Sequence, residues 1–125
     1  MREILFKGKD IRGNWHIGLL ANIGNTWYIR KGVIPTAYEV IPDTIGQYTG
    51  LTDKNGKKIF EGDIVKYKYY LEGKPFEFQG YIDFKNGSFV IVGDFMTHYR
   101  WLDYEVEVIG NIHDNPELLK GDEEE

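Results

Sequence analysis

Two stretches of alternating residues, joined by four turn formers, constrain this chain more than anything else in it. Val65, Tyr67, Tyr69 and Leu71 fall on one side of an extended chain, and Lys66 and Lys68 fall on the other. Phe76, Phe78, Gly80, Ile82 and Phe84 likewise share a side opposite Glu77, Gln79, Tyr81 and Asp83. A period of two is the pattern of an antiparallel strand with one buried face. Glu72-Gly73-Lys74-Pro75 between them reads as the connecting turn. Gly80 interrupts its strand, which predicts a bulge or a sharp bend.

Other turns have the same logic. Asn86-Gly87 lies between Phe84 and Phe89, and both residues tolerate positive φ, so it predicts a two-residue hairpin. Asp53-Lys54-Asn55-Gly56 is a further turn, with Gly56 in the left-handed position. Strands are expected at Glu3–Lys7, Trp15–Ala21, Thr26–Lys31, Ala37–Ile41, Asp63–Leu71, Phe76–Phe84, Ser88–Val92, Tyr99–Asp103 and Glu105–Ile109. One short helical segment of one or two turns is expected within Asp114–Gly121, because Asn115 can cap, Pro116 suits a first helical position and Gly121 suits a C-terminal stop.

The predicted fold is mainly β. Antiparallel hairpins form a small SH3-like open barrel over residues 51–113, after an N-terminal β region at 1–50. The whole is one domain of residues 1–120, and the acidic tail at 121–125 is expected to be disordered.

Composition narrows the chemistry. The 125 residues contain no cysteine, so disulfides, thiolate metal sites and cysteine nucleophiles are excluded. The first residues lack an apolar run and no stretch is long enough to span a bilayer, which leads to the expectation of a cytoplasmic protein without membrane contact. Four of the charges behind the net −5 lie at Asp122–Glu125, so the body is near neutral and shows no general basic face. Lys54, Lys57, Lys58, Lys66, Lys68 and Lys74 cluster in sequence, as a solvated hairpin face or a nucleic-acid contact would.

Catalytic and metal motifs are missing. His16, His98 and His113 have no helical pairing or ligand spacing. Asp53, Glu61 and Asp63 fail the calcium-loop pattern, since lysines occupy its fifth and sixth positions. Neither a phosphate loop nor a serine elbow is present. No catalytic residue, metal or cofactor is therefore expected. Thr97-His98-Tyr99-Arg100-Trp101 combines polar and aromatic groups, and is read as a strand with Tyr99 and Trp101 inward and His98 and Arg100 in water. The other reading is a pocket lined by His98 or Arg100.

Aromatics make up 15% of the chain, more than one small core encloses. Such residues are frequent anchors at protein interfaces. Tyr48, Tyr69, Tyr70, Tyr99 and Trp101 are the candidate interface residues. A non-catalytic protein that contacts a protein partner or its own copies is the leading expectation. Nucleic-acid binding is the alternative, and a small-ligand enzyme the weakest.

The central run from Val40-Ile41-Pro42-Asp43-Thr44 through Gly46-Gln47-Tyr48-Thr49-Gly50-Leu51, Asp53-Lys54-Asn55-Gly56-Lys57 and Ile59-Phe60-Glu61-Gly62-Asp63-Ile64-Val65 closely resembles the YopX family of bacteriophage and prophage proteins. Phe6, Gly8, Lys9, Gly13, Trp15 and Gly18 near the start fit the same family. So do Val108–His113 and Asn115–Leu119 near the end. The resemblance implies a phage or prophage origin and a mainly β fold with a barrel-like part. It implies no activity, cofactor or site residue.

Overall fold

In the computed structural model, which describes residues 3–32, 36–94 and 96–119, the chain is built almost wholly of strands. In order these are β1 (Phe6–Lys9), β2 (Trp15–Ile23), β3 (Thr26–Lys31), β4 (Thr36–Glu39), β5 (Gly46–Thr52), β6 (Lys58–Phe60), β7 (Asp63–Leu71), β8 (Lys74–Lys85), β9 (Ser88–Gly93), β10 (Thr97–His98) and β11 (Glu105–Asn111). Single 3-10 turns occupy Pro42–Thr44 and Pro116–Leu119. The chain divides into two compact units, Met1–Gly50 and Leu51–Glu125. The acidic tail at 121–125 lies outside the described residues.

In the first unit the hydrogen-bonded order is β4-β3-β2-β1-β5. Ile29 and Val40 are buried, and Gly8 is required because a Cβ there would lie 2.9 Å from Val40. Gly24 and Asn25, both at positive φ, turn β2 into β3. Tyr48 is buried on β5, and its N–H donates to the Leu5 carbonyl.

The second unit holds an antiparallel sheet of order β10-β9-β8-β7-β11. The alternating stretches pair along their length, with Val65 opposite Gly80, Tyr67 opposite Phe78 and Tyr69 opposite Phe76. Cross-strand partners share a face, so these residues form one side of the sheet. Val65, Tyr67, Ile82, Ile91, Val106, Ile59 and Trp101 make the core beneath it. The β7–β8 turn is tighter than expected: Glu72 and Gly73 alone take positive φ, and Lys74 and Pro75 already belong to β8. Asn86 and Gly87 form the predicted β8–β9 turn.

Several expectations are corrected. Gly80 makes no bulge, since β8 keeps register through it with both neighbours. Glycine is needed there because a Cβ would sit 2.5 Å from the Val92 carbonyl oxygen. The register shift lies in β11, between Val108 and Gly110. Tyr99–Asp103 is not a strand, and β5 and β6 lie outside the strands expected from the sequence. The mainly β fold of antiparallel hairpins is as expected, and among the described residues neither sheet closes on itself.

Candidate functional site

The aromatic side of β7 and β8 continues past the core into water. β9 pairs with β8 only from Gly80 onward, and β11 pairs with β7 only as far as Lys68. Residues 69–79 therefore form a two-stranded arm beyond the sheet. Leu71, Tyr69, Phe76 and Lys74 lie on the same side of this arm. Leu71 is 54% exposed, Phe76 39% and Phe78 38%, while Tyr69 is half-buried. The Tyr69 ring stacks near those of Phe76 and Phe78, at 6.2 and 6.0 Å between centroids. An isolated two-stranded hairpin is marginally stable in water. An arm with an uncovered aromatic face is thus suited to being covered by another chain.

At the base of the arm is a cavity of about 90 Å³ lined by Tyr67, Tyr69, Phe78, Asp94, Met96 and His98. His98 is buried, contrary to the expectation that it faces water. The reason is register. His98 on β10 pairs with Ile91 of β9, a core residue, and takes the same face. Its Nε2 lies 3.1 Å from the Tyr67 hydroxyl and its Nδ1 3.0 Å from the Tyr104 hydroxyl. A neutral imidazole has one donor and one acceptor, so one tyrosine donates to the ring and the other accepts from it. Burial holds the His98 pKa below its ordinary value. Burial, then the neighbouring Tyr69, Tyr104 and Asp94, push the Tyr67 hydroxyl up to about 12. The Tyr67 hydroxyl fits because position 93 is glycine, where a Cβ would lie 2.4 Å from it. Among the described residues, Asp94 makes no hydrogen bond or ion pair.

A second hollow, of about 190 Å³, lies among Leu51, Asp53, Ile59, Trp101, Leu102 and Val106. Its carboxylate is occupied. Asp53 Oδ1 accepts the N–H groups of Asn55 and Lys57, and Oδ2 accepts that of Val108. Burial opposes the charge, but these three donors hold the Asp53 pKa below the usual carboxylate range. The group ties the β5–β6 turn to β11.

In the first unit, Asp10 Oδ2 lies 2.8 Å from His16 Nε2, and Oδ1 accepts the N–H groups of Arg12 and Asn14. The hydrogen bond from His16 and that from Asn14 bring the Asp10 pKa down to about 2. The His16 ring stacks on Tyr38 at 4.1 Å. This arrangement closes the turn between β1 and β2.

The five sequence candidates separate. Tyr69 joins the aromatic side of the arm. Tyr70 is exposed on the opposite side, and Tyr99 is exposed outside the arm, where its hydroxyl accepts from Asn86 Nδ2 at 3.1 Å. Tyr48 and Trp101 are buried and contribute to packing. The indole N–H of Trp101 donates to the Phe89 carbonyl at 2.9 Å. Sequence reading passed over Phe76, Phe78 and Asp94. For the two phenylalanines the signal was available, because an alternating strand longer than its neighbours must leave part of its apolar side uncovered.

The lysine cluster is interleaved with carboxylates. Lys54 lies 3.5 Å from Glu105 and 3.7 Å from Glu107, and Lys66 lies 3.9 Å from Glu77. Among the described residues no three His, Asp or Glu side chains converge as a metal-binding group. No helix of the described residues is long and apolar enough to cross a membrane.

No curated protein matches the chain. A solved structure, the crystal structure of protein EF1440 from Enterococcus faecalis, is similar over 95% of this chain and 99% of its own, at 26% identity and a TM-score of 0.57. The family pattern described as YopX protein matches residues 14–120, most of the length, and the chain belongs to the YopX family.

Proposed function

We propose that this is a non-catalytic, self-associating accessory protein of phage or prophage origin, whose contact surface is the aromatic side of the β7–β8 arm. The observation that carries this reading is the exposure of Leu71, Phe76 and Phe78 together on strands that have outrun their sheet. Covering such a face removes apolar area from water, the main favourable term in association. A second copy supplies a matching face, because a two-fold contact uses the same patch twice.

Other readings have less support. Enzymatic use of His98 is disfavoured because both ring nitrogens are engaged by tyrosine hydroxyls. Nucleic-acid binding is disfavoured because Glu77, Glu105 and Glu107 stand among the lysines and would repel phosphate. Light scattering over a concentration series tests the proposal. Wild type should gain mass with concentration, and the Phe76→Ser/Phe78→Ser variant should stay monomeric. A wild type that remains monomeric throughout, or a variant that associates equally well, would overturn it.

A further inference from the structure

We infer that the cavity at the base of the arm is a cation site, and that it receives the Lys74 ammonium of a second copy packed antiparallel against the first. This rests on the self-association proposed above and specifies its geometry.

The walls define the class of ligand. Tyr67, Tyr69 and Phe78 present aromatic rings, whose faces attract cations. Asp94 adds an exposed carboxylate at the rim, with no hydrogen bond or ion pair among the described residues. His98 is held by two tyrosine hydroxyls and adds no positive charge in its neutral form. An anion would be repelled by Asp94, and a neutral apolar group would take water from that exposed carboxylate without replacing it. A primary ammonium answers both the rings and the carboxylate.

The arm itself offers the cation. Lys74 pairs across from Leu71, so it stands at the tip on the same side as Tyr69 and Phe76. Its side chain is exposed and makes no hydrogen bond or ion pair among the described residues. Tip and base are four residues apart on β7, from Tyr67 to Leu71, or about 13 Å at the rise of a strand. When two such arms pack face to face about a two-fold axis, running in opposite directions, the tip of each lies over the base of the other. Lys74 of one copy then meets Asp94 of the other, twice per dimer. The aromatic residues between supply the apolar contact, and the charges at the ends fix direction and register.

Sedimentation equilibrium on the full chain tests this through a charge exchange. Lys74→Asp and Asp94→Lys should each weaken dimerisation by about twenty-five-fold, taking about fivefold for each of two partly exposed pairs. The double variant, Lys74→Asp/Asp94→Lys, should recover most of that loss. Far-UV circular dichroism of each variant checks that the strands are intact. Two results would overturn the inference while leaving the contact surface in place, each with Phe76→Ser/Phe78→Ser still dissociating the dimer: unaltered dimerisation in the single variants, or no recovery in the double variant. If Phe76→Ser/Phe78→Ser dimerises like wild type, the contact surface is misplaced and the inference falls with it.

Discussion

Asp53→Ala removes a carboxylate that is buried yet fully used. Two of its three donors, the N–H groups of Asn55 and Lys57, lie in an exposed turn and can turn to water when the side chain is lost. The third, the Val108 N–H, is on β11 next to the register shift and lies 2.9 Å from Oδ2. A hydrogen bond to a charged group contributes about 1.5–3 kcal/mol, and an ordinary exposed one about 0.5–1 kcal/mol. The loss is then about 3 kcal/mol, a large share of the roughly 5–15 kcal/mol that holds a domain of this size. At about 3–4 °C per kcal/mol, Tm should fall by about 10 °C. Urea unfolding followed by tryptophan fluorescence measures the free energy, and amide exchange at Val108 locates it. Because the Asp53 pKa is lowered from 3.8 on folding, its contribution is present above that value and is lost as pH falls through the lower, folded one. The difference between wild type and variant should therefore shrink on acidification below about pH 4. A loss under about 0.5 kcal/mol at neutral pH, at the level of an ordinary surface change, would refute this account of the turn.

Three further outcomes follow from the base of the arm. His98 is held neutral, so the unfolded chain binds its proton first as pH drops below about 6.5. Stability should decline there by at most about 1.4 kcal/mol per pH unit, and His98→Gln should flatten that limb in urea titrations at several pH values. Tyr67 keeps its proton to about 12 against an ordinary 10.0, so stability should fall between those values; burial also raises Tyr104, so Tyr67→Phe should reduce that decline without removing it. Ultraviolet titration of the phenolate absorbance, taken as the difference between wild type and Tyr67→Phe, isolates the same group among the nine tyrosines. Gly93→Ala should cost about 1–3 kcal/mol by pressing on the Tyr67 hydroxyl, and adding Tyr67→Phe should recover part of it in a double-mutant cycle. An additive cycle would show that the two do not touch.

The strands with a clear period were readable in the sequence. Thr26–Lys31 and Asp63–Leu71 are the strands expected, and the Asn86-Gly87 turn follows from its residues. β5 was missed because glycines at its start and middle lower strand propensity, and its pairing with β1 is tertiary. His98 was turned the wrong way because alternation was projected along a five-residue strand. The strand ends at His98, and Trp101 reaches the core from a turn in which its carbonyl accepts the Tyr104 N–H. Two residues carry no period, so only pairing with Ile91 reveals the face. The lysines clustered in sequence for a similar reason. The carboxylates beside Lys54 and Lys66 come from β8 and β11, which only the sheet brings next to them. The aromatic surplus was visible, but its division into buried Trp101 and Tyr48 and the exposed arm depends on how far each neighbouring strand extends.

The central claim, that the arm is the contact surface, is tested most directly by hydrogen–deuterium exchange of the full chain at low and high protein concentration. The account predicts that amides of residues 69–79 exchange more slowly at high concentration, while those at the exposed Tyr99–Arg100 segment do not change. Uniform exchange at both concentrations, or protection confined to surfaces away from the arm, would contradict it.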